Sequence, residues 1–295
     1  MILEQKFISG RNNAFITEIC KLKQKKHRNQ AGLFYVEGTK LFKEALDSGL
    51  NIRHVIIAGD GGEADGGLRN LILRGETTAN PRPAGTPFQK GALSAEIVTV
   101  TREVYAKITD EEAFEGVMCV IEKPAEDIKL SYEKPVIVLC SVRDPGNVGT
   151  IIRTANAIID CDMILSDDCA DIYSSKTQRA AMGAVFRQNI KISKNIAEDI
   201  ANLKKNGYNI IASHLDRNSR PIGEVKFNAK TAVIFGNEGN GLDDETARLC
   251  DGKMIIPINQ DSESLNVSIA AGIVLWEMRR GDLKYNGRIE RDNRK

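Results

Sequence analysis

Val136-Ile137-Val138-Leu139-Cys140 is an unbroken apolar run, and shortly after it Pro145-Gly146-Asn147 opens a stretch of helical character, Val148–Ile159. The same alternation continues toward the C-terminus. Apolar, β-rich runs recur at Met163–Ser166, Tyr208–Ser213, Ala232–Phe235 and Met254–Ile258. Helical segments lie between and after them, at Lys176–Val185, Ile196–Lys205, Asp243–Leu249 and Leu265–Arg280. A strand that is apolar at every position, not every second one, must be covered on both faces, and the intervening helices supply the cover. Residues 135–282 are therefore expected to form an α/β domain on a parallel sheet.

Upstream, Asn12–Lys23 and Thr39–Ser48 read as helices, and Leu33–Val36, Arg53–Ala58, Ile97–Val100 and Val117–Ile121 as strands. Residues 1–123 thus read as a small α/β domain, joined to the second by a polar linker, 124–134, bounded by Pro124 and Pro135. Glycines and prolines crowd Gly59–Gly91, which cannot bury enough apolar surface to offset its ordering entropy. It is expected to be a mobile surface insertion. The end of the chain, 283–295, carries charges of nearly alternating sign and reads as a flexible tail.

The 295 residues are 42% hydrophobic with a net charge of +1, so composition describes a globular protein and announces no polyanionic partner. The six cysteines form no CxxC pair, which speaks for reduced thiols and against a disulfide framework or zinc finger. His27, His54 and His214 lie far apart, so no metal is expected. The N-terminus lacks a basic-then-apolar pattern, and no segment approaches the roughly 18 apolar residues of a membrane span. A soluble, cytoplasmic protein without a membrane partner is expected.

Three clusters sit where strands hand over to loops or helices, the places at which open α/β sheets bind ligands. In the first, Asp144–Asn156, Asn147 is placed to cap a helix. Arg153 leans back over Gly149, which has no side chain to block it, toward the strand-end crevice. An ordinary surface arginine is the alternative. The second, Phe235-Gly236-Asn237-Glu238-Gly239-Asn240-Gly241-Leu242, has the spacing G-x-x-G-x-G, which matches neither the dinucleotide fingerprint nor the P-loop. Glu238 argues against a phosphate and suits a cationic or hydroxyl-rich ligand, though a plain glycine-rich turn also fits. The third begins at Ile256-Pro257-Ile258 and continues into a helix capped by Ser262 or Ser264 and apolar almost all round until Glu277. Asn266 in that setting needs hydrogen-bond partners. Near the N-terminus, the basic run Lys21–Arg28 is either a solvated helix face or a phosphate-contacting one.

Together the stretches NVGTIIRTANA (147–157), IFGNEGNGL (234–242) and IPINQDSESLNVSIAAGIVLWE (256–277) resemble the three signature motifs of the SpoU (TrmH-type) branch of the SPOUT methyltransferases. Ser175–Phe186 also resembles the family. Segments on both sides of the Gly/Pro-rich stretch resemble the substrate-binding domain often attached to this branch. The resemblance implies a trefoil-knotted domain, S-adenosylmethionine as cofactor, and methyl transfer to a ribose 2′-hydroxyl of structured RNA, ribosomal more than transfer RNA. It implies a homodimer through the knot, with the helix from Leu265 in or near the interface.

By the same matching, Arg153 deprotonates or polarises the hydroxyl, Asn147 and Asn266 position Arg153 and the ribose, and Glu238 binds the loop backbone or orients the site. The cofactor set is Phe235, Gly236, Asn237, Glu238, Gly239, Gly241, Ile256, Ile258, Ser264 and Leu265. RNA contacts fall on Arg11, Lys21, Lys23, Lys25, Lys26, Arg28, Lys176 and Arg179. Ile159 and Ala181 depart from the family's usual glycine and serine. A catalytically idle RNA-binding or assembly factor on the same fold remains the competing reading. A nucleotide-dependent oxidoreductase lacks the glycine fingerprint.

Overall fold

A computed structural model describes residues 5–59, 95–124, 128–259, 261 and 264–280. The first sheet has the strands β1 (Gln5–Ile8), β2 (Leu33–Glu37), β3 (Ile52–Ala58), β4 (Glu96–Val100) and β5 (Val117–Glu122), in the order β1-β4-β3-β5-β2. β1, β4 and β3 are parallel, while β5 runs antiparallel to β3 and β2. Its helices are α1 (Ala14–Lys21), α2 (Lys25–Ala31), α3 (Thr39–Asp47) and α4 (Arg102–Ile108). Ile16 of α1 and Tyr105 of α4 share a core with Ile56 and Val98 on one face. Phe42 of α3 packs with Phe34 and Val55 on the other. The helix expected over Asn12–Lys23 is α1, and a second helix that the sequence did not announce, α2, follows it after the extended residue Gln24.

The second sheet contains β6 (Val136–Leu139), β7 (Asp162–Ser166), β8 (Asn189–Ser193), β9 (Asn209–Ser213), β10 (Arg220–Pro221), β11 (Thr231–Phe235) and β12 (Gly252–Ile255). Their order is β10-β12-β9-β11-β6-β7-β8, and every pairing is parallel. The helices are α5 (Pro145–Ile158), α6 (Ser175–Ala181), α7 (Ile196–Lys205), α8 (Asp244–Arg248) and α9 (Val267–Arg280). Ile137 and Leu139 of β6 join a core with α5 and α9, whereas Val136 and Val138 join one with α7. Burial on both faces explains the unbroken apolar run.

Three local expectations change. α5 begins at Pro145, and its cap is Asp144, whose carboxylate accepts from the Asn147 N–H at 2.8 Å. Proline in the first turn has no N–H to leave unsatisfied. The helix expected over Lys176–Val185 stops at Ala181, because Met182 and Gly183 are left-handed (φ 49° and 81°), and a tight turn, Ala184–Phe186, follows. β12 ends at Ile255, which leaves Ile256 and Ile258 in the loop beyond it.

The two sheets share one continuous core, in which Phe34 and Phe42 of the first meet Ala184 and Phe186 of the second. Phe34 lies 4.7 Å from the Tyr173 ring. Of the expected linker, Leu130 is buried against the second sheet, and the Ser131 N–H donates to Asp162 at 2.9 Å. The expected insertion, apart from Gly59, and the expected tail lie outside the described residues. All six cysteines are free thiols. Among the described residues, no helix is long and apolar enough to cross a membrane.

Candidate active site

Because the sheet is parallel, β6, β11 and β12 deliver their C-terminal ends to one edge, and the three sequence clusters leave from those ends. Ser141, the second residue after β6, is left-handed (φ 56°), an uncommon state for a residue with a side chain. Its N–H donates to Ser166 Oγ at 2.8 Å, and its carbonyl accepts from Asn237 Nδ2 at 2.7 Å. These bonds hold the kink that leads into α5.

After β11 the chain closes on itself. Asn237 and Gly241 exchange two backbone hydrogen bonds of 2.8 and 2.9 Å, and Asn237 Oδ1 accepts from the Gly239 and Asn240 N–H groups. A Cβ at Gly236 would lie 2.2 Å from the Gly241 carbonyl carbon, and Gly241 is left-handed (φ 69°). The close approach that these glycines permit is that of the loop to its own backbone.

Glu238 accepts from the main-chain N–H of Arg143 (3.2 Å) and Asp144 (3.0 Å) and from Asn147 Nδ2 (3.1 Å). Asn147 Oδ1 in turn accepts from Asn266 Nδ2 at 3.0 Å. Asn266 Oδ1 takes the Ser268 N–H at 2.8 Å, so Asn266, and not a serine, caps α9. One relay, Glu238–Asn147–Asn266, therefore ties the three clusters together. Partial desolvation pushes the Glu238 carboxyl upward. The hydrogen bonds from Asn147, Asp144 and Arg143 outweigh it and hold the group below its ordinary value.

Arg153 is exposed and makes no hydrogen bond or ion pair with the described residues. It stands six residues beyond Asn147, about 9 Å along the axis of α5. Neither Asn147 nor Asn266 makes a direct hydrogen bond to it; Asn147 bonds to Glu238, and the two bond to each other. Gly149 does not make room for it either. A Cβ there would meet Ala180 Cβ at 2.5 Å and the Thr177 carbonyl at 2.6 Å, so this glycine lets α6 press against α5.

Among the expected cofactor residues, Phe235 is a core residue whose carbonyl is taken by the Cys140 N–H at 2.8 Å, so its ring is withdrawn from any ligand. Ile258 and Leu265, at 38% and 36% exposure, leave apolar surface open beyond β12, with half-buried Ile256 before them. Gly239, Gly241 and Ser264 are exposed. α9 is not buried all round. Val267, Ala271, Val274 and Leu275 are buried, while Ile269, Ile273 and Trp276 (52% exposed) form an open stripe. Among the described residues, no group of His, Cys, Asp or Glu side chains gathers to hold a metal ion.

The basic residues divide. Arg28 is only 4% exposed, pairs with Asp171 at 2.5 Å and donates to the Leu22 and Lys23 carbonyls, so it fastens the two sheets and faces no RNA. Lys23 pairs with Asp110, Arg179 with Glu111 across the same seam, Lys21 with Glu18 and Arg11 with Glu103. Lys25 donates to the Asp167 carbonyl. Lys26 and Lys176 are exposed and make no bond with the described residues. Arg143, which is not among the residues expected from the sequence, places its guanidinium 3.3 Å from Asp168 beside the relay. Its place just ahead of Asp144-Pro145 was the available signal.

Two family models match the chain: the SpoU rRNA Methylase family over residues 134–276 and an MRM3-like substrate binding domain over residues 13–119. A 23S rRNA (guanosine(2553)-2'-O)-methyltransferase of Bacillus subtilis is 30% identical over 274 residues, 93% of this chain and 99% of the relative. The chain belongs to the SpoU rRNA methylase family. Within that family, a tRNA (guanosine(18)-2'-O)-methyltransferase of Escherichia coli is 30% identical over 51% of this chain and 66% of its own length. The solved structure of an AdoMet-bound rRNA methyltransferase from Sinorhizobium meliloti superposes with a TM-score of 0.78 at 29% identity, covering 95% of this chain and 99% of that one.

Proposed function

We propose that this SpoU-family chain transfers a methyl group from S-adenosylmethionine to a ribose 2′-hydroxyl of structured RNA, with ribosomal RNA ahead of transfer RNA as substrate. The observation that carries the reading is the relay Glu238–Asn147–Asn266, which joins the three clusters at one sheet edge beneath a helix bearing a free arginine. The rRNA methyltransferase relative matches along its whole length, whereas the tRNA relative matches half of this chain.

When bound, S-adenosylmethionine supplies an electrophilic methyl group on a sulfonium sulfur. The residues fit such a molecule. Ile256, Ile258 and Leu265 offer open apolar surface to an adenine ring. Gly239 and Gly241 keep the outer turn of the loop exposed, the buried Gly236 lets that turn close, Asn237 holds its shape and Ser264 lies exposed at its margin. The Glu238 carboxylate favours a cationic centre over a phosphate.

Arg153 orients and polarises the 2′-hydroxyl. A guanidinium is a rigid, charged donor and a poor proton acceptor, which favours that role over literal proton removal. Asn147 and Asn266 fix the relation of α5 to α9, and Glu238 fixes the loop to the start of α5. Lys26 and Lys176, with Arg11, Lys21, Lys23 and Lys25 at the surface, contact RNA phosphates. Residues 1–123 act as the substrate domain, and 135–282 as a trefoil-knotted methyltransferase domain beyond the 124–134 connection. The open stripe of α9 supports a homodimer, and the free thiols support a reducing, cytoplasmic setting.

Calorimetry with S-adenosylmethionine tests the reading, paired with methyl transfer to unmethylated 23S ribosomal RNA and transfer RNA transcribed in vitro. Micromolar binding and transfer to ribosomal RNA are expected. No binding at millimolar cofactor would remove the enzyme. Trp276→Lys is expected to halve the mass seen by sedimentation, and a wild-type monomer would end the dimer proposal.

A further inference from the structure

We propose that Arg143 holds an RNA phosphate next to the target ribose, and that Asp168 occupies its guanidinium until that phosphate arrives. The proposal rests on the methyltransferase reading and adds a substrate-positioning pair to it.

The backbone of Arg143 belongs to the relay, since its N–H and that of Asp144 both donate to Glu238. The side chain is 71% exposed, and its one polar contact with the described residues is a 3.3 Å approach to Asp168. Asp168 is the fixed member of the pair. Ser166 Oγ donates to it at 2.6 Å and itself accepts the N–H of Ser141 at 2.8 Å. A carboxylate held by Ser166 thus faces a cation whose backbone is anchored and whose side chain extends into solvent. Such an exposed pair holds weakly. A phosphate offers the planar guanidinium a bidentate, charge-assisted partner and displaces the carboxylate.

Position decides that the ligand is the RNA backbone. Arg143 lies just ahead of α5 and Arg153 about 12 Å along its axis from Pro145, so the two cations flank Asn147 in the chain. A single RNA strand crossing the relay reaches both. On the other side, Lys25 of α2 bonds to the Asp167 carbonyl, which sets the basic helix against the Asp167–Asp168 loop. The Asp167 and Asp168 carboxylates are exposed beside that contact and repel an RNA backbone. Arg143 is the cation that faces Asp168 there.

The test uses the full chain as Arg143→Ala, Arg143→Lys, Asp168→Asn and the double variant Arg143→Ala/Asp168→Asn. Methyl transfer is followed on 23S ribosomal RNA transcribed in vitro, and binding on a labelled oligouridylate across a salt series. Arg143→Ala should raise the RNA KM about tenfold with kcat and cofactor Kd within twofold, and lower the salt slope by about one. Arg143→Lys should restore the slope and part of the affinity. Asp168→Asn should lower the KM about twofold to threefold in wild type and change nothing beside Arg143→Ala.

A wild-type KM and salt slope in Arg143→Ala overturns the proposal. So does a fall in kcat at unchanged KM, or an Asp168→Asn effect that survives without Arg143. Failure of the unaltered chain to bind cofactor would instead count against the methyltransferase reading itself.

Discussion

The seam between the two sheets and the relay at the strand ends are both polar networks that join segments distant in sequence. At the seam, Arg28 donates to Asp171 and to the carbonyls of Leu22 and Lys23, and it is buried. At the relay, the amides and the Glu238 carboxylate satisfy one another, and the neighbouring Arg153 keeps its donors open to solvent. The same side chain is a structural fastening in one place and an available cation in the other. Burial and the presence of a fixed carboxylate make the difference, not the basicity of the surrounding sequence. Arg28 sits in the most basic run of the chain, and Arg153 in an apolar helix.

Exchanging each arginine for alanine should separate the two regions. Arg153→Ala has the largest expected effect: methyl transfer falls roughly 10²–10⁴-fold, while cofactor affinity stays within a few-fold and the melting temperature does not move. Near wild-type turnover would place Arg153 outside the chemistry. Arg28→Ala should do the reverse. It leaves Asp171 without its cation in a largely buried seam and lowers stability by about 3 kcal/mol in urea unfolding, with turnover preserved at low temperature. An unchanged unfolding midpoint would mean that the seam does not depend on this pair.

Gly149→Ala tests which region the glycine serves. Its Cβ would be forced against Ala180 and Thr177, so a stability loss of about 1–3 kcal/mol is expected. Lost turnover at full stability would instead return Gly149 to the role of clearing space for Arg153. A smaller effect concerns pH. The Glu238 carboxyl is held below its ordinary value in the folded state, so its contribution is complete above the unfolded pKa of about 4.3. That contribution is lost as pH falls through the lower folded value. Cofactor affinity from calorimetry should stay flat from neutrality to the ordinary carboxyl range and decline only below it, and Glu238→Gln should abolish that acid limb. Lys26→Ala should change least. Stability shifts by less than about 0.5 kcal/mol, and the salt slope of RNA binding drops by about one, a change that titration at several salt concentrations would detect.

Much of the second sheet was legible because its strands are covered on both faces, as the run Val136–Leu139 shows. β8 was not, since Asn189-Ile190-Lys191-Ile192-Ser193 lies at the sheet edge and mixes polar with apolar residues. β10 has two residues and no pattern to read. In the site, Asn147, Glu238 and Asn266 could be picked out as polar residues at strand ends, Asn147 only as a helix cap. Their partners could not, because each bond crosses from one cluster to another, up to 119 positions away.

The sequence by itself determined the parallel α/β layout, the three clusters and the glycines, since periodicity and backbone freedom are local properties. Which glycine serves a loop, which serves a helix contact and which arginine is free are matters of the tertiary structure alone. Those properties depend on what another segment brings within a few ångströms. For Gly149 that segment is α6, for Gly236 its own returning loop, for Arg28 the Asp171 carboxylate, and for Arg153 solvent.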